Sequence, residues 1–65
     1  MTWTDKTYNA TLKASNELVG LATELNERLG AGGGATSPEA VLVLVKRMRE
    51  LLDVAKDNAE FETWG

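Results

Sequence analysis

Sixty-five residues allow one domain. Without cysteine or histidine the chain has neither a disulfide framework nor a structural zinc site, and a net charge of −3 argues against a dedicated nucleic-acid binder, which carries a basic face. A single core of this size rarely supplies more than about 3–5 kcal/mol, so self-association is the remaining route to a stable fold.

The opening stretch MTWTDKTYNA has no basic start and no apolar run, so it does not read as a signal peptide. The first helix is expected over residues 5–29. Thr4 is a suitable N-cap, and Trp3 and Tyr8 then fall at the spacing of a hydrophobic staple. Thr11, Ala14, Leu18, Leu21, Ala22, Leu25 and Leu29 form one apolar stripe; Tyr8, Leu12 and Val19 form a second line beside it. Together they span about half the circumference, wider than the stripe of a surface helix with one neighbour.

The run GAGGGATS, residues 30–37, separates the two periodic segments. Glycines ahead of a helix start expose backbone N–H groups to an anion, with Gly32, Gly33, Gly34, Thr36 and Ser37 as the candidate donors. A P-loop needs a lysine after the glycines and a strand before them, and neither is present. A connector of ordinary length for a helix–helix turn is the preferred reading.

The second helix is expected over residues 38–62. Ser37 as N-cap, Pro38 at the first helical position and Glu39 beside it form a strong start signal. Asp57, Glu60 and Glu62 crowd the negative end of the helix dipole, so the last turn is expected to fray unless Phe61 or Trp64 packs. Val41, Leu44, Val45, Met48, Leu51, Leu52, Ala55 and Ala59 form a compact face; Leu42, Val43, Val54 and Phe61 fall outside it. The longest apolar run, residues 40–45, is far too short for a bilayer. A cytoplasmic protein without membrane contact is expected.

The chemical motifs are sparse. Lys46, Arg47 and Arg49 form the only basic cluster, and they read as solvating side chains, or as ligands for an anionic small molecule held at a neighbouring subunit's glycine loop. The acids Glu24, Glu27, Glu50 and Asp53 give E-x-x-E followed by E-x-x-D. That spacing resembles the magnesium-binding pattern of the all-α nucleoside triphosphate pyrophosphohydrolases, the MazG-like family. The resemblance implies metal ions gripping a nucleotide's phosphates. Salt pairs at i, i+4 account for the same acids: Glu24 with Arg28, Lys46 with Glu50, Arg49 with Asp53 and Lys56 with Glu60.

These residues point to an all-α fold in one domain, residues 1–65: an antiparallel two-helix hairpin in which residue i faces roughly residue 67 − i. The four aromatics would then collect at the open end. The surplus apolar positions Tyr8, Leu12, Val19, Leu42, Val43, Val54 and Phe61 are expected to form an interface with a second copy, as a four-helix bundle or a higher oligomer. The expected role is non-catalytic, in assembly, protein interaction or regulation, without cofactor, metal or catalytic residues. A small oligomer binding an anion such as a nucleotide is the alternative.

Overall fold

The computed structural model of the chain describes residues 3–30 and 36–64. It contains two α-helices, α1 (Asp5–Gly30) and α2 (Pro38–Trp64), packed against each other along a rod of 46 × 15 × 14 Å. The expected all-α hairpin is therefore present, with each helix one or two residues longer than the expected span.

Both helix starts are the expected ones. The Thr4 carbonyl accepts the Tyr8 N–H at 2.9 Å, and Thr4 Oγ1 lies 3.5 Å from the Thr7 nitrogen. In α2 the Ser37 carbonyl accepts the Val41 N–H at 3.2 Å, and Ser37 Oγ accepts the Ala40 N–H at 3.1 Å. Each cap satisfies amide donors that a helix leaves unpaired in its first turn.

The end of α2 stays helical to Trp64. Of the two residues expected to hold it, Phe61 is 63% exposed, and the side chain of Trp64 lies outside the described residues. A contact the sequence did not suggest is made by Glu62. Its Oε1 accepts from the Thr4 N–H at 2.7 Å, from Thr4 Oγ1 at 2.7 Å and from the Thr7 hydroxyl. An acid that is unfavourable at the C-terminus of its own helix is favourable at the positive N-terminus of the helix running the other way. The dipole of α2 alone disfavours Glu62, and the neighbouring helix reverses that sign. These hydrogen bonds hold the Glu62 carboxyl below its ordinary pKa.

The clasp and the cross-helix contact of Arg47 with Glu17 set an antiparallel register close to the expected 67 − i. The seam between the helices is narrow. Among the described residues Ala14, Leu44 and Leu51 are the buried apolar ones, joined by Thr7. Leu18, Leu21 and Leu25 on α1, and Val41, Met48 and Ala55 on α2, are half-buried beside them. Small residues at 7, 10, 11 and 14 let the helices approach near the open end, and Thr11 Oγ1 turns back to the Thr7 carbonyl at 2.8 Å. Three residues expected in the seam lie outside it: Ala22, Leu29 and Leu52 are exposed.

Because the Glu62 pKa is depressed in the folded state, the clasp contributes fully above the ordinary carboxylate value of 4.5 and is lost as the pH falls through the lower, folded value. Glu62→Gln is expected to raise the amide exchange of Thr4, Thr7 and Tyr8 at neutral pH. Wild type should approach the exchange of the variant in acid. Equal protection of these amides in both proteins at pH 7 would count against the clasp.

Candidate functional site

The candidate site follows from where the apolar side chains lie around each helix. At about 100° per residue, Thr7, Ala14, Leu18, Leu21 and Leu25 share the seam-facing side of α1. Tyr8, Leu12 and Val19 lie roughly a third of a turn further round, and they are 50%, 44% and 63% exposed. Trp3, Tyr8 and Leu12 line a shallow depression of about 210 Å³ with Thr11 and Ser15. On α2, Leu44 and Leu51 face the seam, and Val45 and Leu52 lie a quarter-turn round in the same sense. In an antiparallel pair, equal rotation on the two helices leads to the same side of the hairpin. Tyr8, Leu12, Val19, Val45 and Leu52 thus share one face.

Val43, Val54 and Phe61 lie a quarter-turn round α2 in the opposite sense, on the other face. All three are exposed. The ion pair between Glu17 and Arg47, at 2.6 Å, crosses this second face, which fixes the handedness of the assignment. Leu42 points away from α1 altogether and lines a depression with Val45, Lys46, Arg49, Glu50 and Asp53. The seven surplus positions of the sequence are all exposed in the single chain, but they occupy two faces and the back of α2. The aromatics divide likewise: Trp3 and Tyr8 are on the first face and Phe61 is on the second. They do not form the single cluster expected at the open end. The ring of Trp64 lies outside the described residues.

The first face has an electrostatic peculiarity. Its α1 side reads Tyr8, Leu12, Ser15, Val19, Ala22 and Asn26, without a charge over five turns. The charges of α1 lie on the other flank and the back, including Lys6, Lys13, Glu17 and Glu24. Uncharged side chains are cheap to desolvate, so this side loses little when water is displaced from it.

The polar candidates are not brought together. Gly32, Gly33 and Gly34 lie outside the described residues. Ser37 Oγ is engaged in capping α2. Lys46 lies nine residues further along α2, about 13 Å at 1.5 Å per residue. Arg47 is held by Glu17 and, at 3.4 Å, by Glu50, and its pKa is raised, chiefly by the hydrogen bond from its guanidinium to Glu17. Arg49 and Lys46 line the outer depression on α2.

The acids behave similarly. Two of the four expected salt pairs form: Arg28 with Glu24 at 3.1 Å and Lys56 with Glu60 at 3.4 Å. Lys46–Glu50 and Arg49–Asp53 are absent among the described residues; Glu50 pairs instead with Arg47. The register would have placed Arg47 level with Gly20, one turn from Glu17, so this cross-helix pair was within reach of the sequence. Among the described residues no three acids converge as a metal-ligating group, and Glu24 and Glu50 sit in different ion pairs. No described helix is long and apolar enough to cross a membrane.

Comparison with known proteins adds no assignment: no family model, no curated protein and no solved structure matches the chain.

Two outcomes follow. Arg47→Ala should lower the melting temperature less than Leu51→Ala, since exposed ion pairs contribute little and truncation of a buried leucine costs about 2–5 kcal/mol. In excess chelator, circular dichroism and melting should match those in magnesium. A magnesium-dependent rise in melting temperature that is lost in Glu50→Gln would instead restore the carboxylate site.

Proposed function

We propose that the protein is a non-catalytic assembly module that pairs with a second copy of itself as a four-helix bundle. The pairing surface is the face carrying Tyr8, Leu12, Val19 and Leu52. The observation that carries this reading is their exposure on a side whose α1 half has no charge from residue 8 to residue 26. A monomer gains nothing from four large apolar side chains in water. Each one buried between copies contributes roughly 1.5–3 kcal/mol, a large share of the stability of a domain this small.

A second copy offers an identical apolar α1 half-face without charges, so desolvation of that half strands no charge. The functional consequence is that folding and association are coupled, and the pair presents its remaining surface as a rigid four-helix rod.

The melting temperature is therefore expected to rise with protein concentration. Val19→Glu places an unpaired charge in the contact and should yield an unfolded chain or a much weakened dimer, while Asn16→Glu, on the back of α1, should leave association intact. Sedimentation equilibrium that finds a folded, helical wild-type monomer at micromolar concentration would remove this function.

A further inference from the structure

The first face also has a pattern of side-chain size. At about 100° per residue, Tyr8, Ser15 and Ala22 point straight out of it from α1, and Val45, Leu52 and Ala59 do so from α2. The antiparallel register, close to 67 − i, sets Tyr8 level with Ala59, Ser15 with Leu52 and Ala22 with Val45. Each of these levels carries one large and one small side chain, side by side. The large one belongs to α1 at the open end and to α2 in the middle and toward the loop. Charge is uneven too. Among the described residues this face holds no acid, while the edge of α2 that borders it carries Arg49 and Lys56, the second paired with Glu60.

We infer that the second copy meets this face about a two-fold axis parallel to the helices, so that α1 of each copy lies on α2 of the other. The inference rests on the proposed pairing and adds its geometry. Two kinds of axis bring the face onto its own copy. A parallel axis exchanges left and right and keeps the level along the rod. Tyr8 of each copy then lies over Ala59 of the other, Leu52 over Ser15 and Val45 over Ala22. At all three levels a large side chain meets a small one, as interdigitating layers require. A perpendicular axis keeps left and right and reverses the level. With the two rods overlapped it pivots near residues 17 and 50. Leu52 then meets Met48 of the other copy, twice, in the middle of the α2 half, while Ser15 meets Val19 in the α1 half. The large pairs hold one half apart where the other needs a closer approach. Charge favours the same choice. The perpendicular axis brings Arg49 of both copies to one level on one edge, where like charges repel. The parallel axis sets Arg49 and Lys56 beside Asn9, Leu12, Asn16 and Val19 of the other copy, which carry no charge. A pair built this way has unlike ends: both Thr4–Glu62 clasps lie at one, and both Ser37 caps at the other.

The test exploits the absence of cysteine. One nitroxide label is placed per chain, at Lys6→Cys or at Glu39→Cys, and the distance between copies is measured by pulsed dipolar spectroscopy. Both positions are exposed, and both point away from the first face. With one label per chain, any coupling is between copies. A parallel axis gives no separation along the rod at either site, so helix spacings of about 8–10 Å and the label arms leave both distances at roughly 30 Å. Glu39 is level with Arg28, about 33 Å along the rod from Lys6 at 1.5 Å per residue. A perpendicular axis, wherever it lies, therefore puts at least one of the two label pairs that far apart along the rod, and roughly 40 Å or more overall. Circular dichroism and sedimentation equilibrium report whether each labelled chain is a helical dimer. The shorter distance is expected at both sites. A distance in the longer range at either site, in a chain that sediments as a dimer, would overturn the orientation and leave the pairing in place. Labelled chains that sediment as monomers without dipolar coupling would remove the pairing itself, and the orientation with it.

Discussion

Two helices touch along one line, and everything else in this molecule is set by that restriction. Side chains on each helix reach the other only within a narrow sector, and here the sector is filled by Ala14, Leu44 and Leu51 with half-buried neighbours. Among the described residues, an apolar side chain more than about a quarter-turn from the seam has nothing to cover it. Leu12, Val19 and Leu52 on one side, and Val54 and Phe61 on the other, are in that position. Among the described residues no third element lies over either face. The surfaces most apt for contact are thus the direct geometric remainder of a seam one side chain wide.

The charges are arranged around the same remainder. One face is kept nearly free of them on α1, which suits a contact that must exclude water permanently. The other carries charges of both signs, Lys6, Lys13, Glu17 and Asp57, around its apolar side chains. At the open end, Glu62 converts a repulsive position in its own helix into a cap for the other. The chain uses the antiparallel dipoles to support each other at the end of the seam where its residues are smallest.

Much of this was legible in the sequence. Thr4 and Ser37 marked both helix starts, because N-caps act within four residues and need no tertiary context. The surplus apolar lines were visible as positions outside each stripe, and the seven residues named for them are all exposed. What stayed hidden depended on the neighbouring helix. Leu52 looked like a core residue because the apolar sector of α2 is broader than the seam; only the position of α1 decides which edge of that sector is covered. Phe61 was grouped with Trp3 and Tyr8 by its level along the rod, but level says nothing about side, and rotation about the two axes separates them. The i, i+4 rule found Glu24–Arg28 and Lys56–Glu60, yet it assigned Glu50 to Lys46 because it had no means of weighing Arg47, which reaches both Glu17 and Glu50.

The clasp at the open end also determines how the hairpin would yield under tension. Thr4 and Glu62 lie side by side at one end of a rod 46 Å long, so a load drawn through the two chain ends pulls across the helices rather than along them. The seam then parts one turn at a time, like a zipper, and only the leading contact bears the force at any moment. Thr4, Thr7 and Glu62 are that leading contact. A load applied instead to both ends of a single helix would act along its backbone hydrogen bonds, about three or four of which span each turn side by side and share it. The fold is thus mechanically soft in one direction and stiff in the other, and three side chains set the threshold for the soft one.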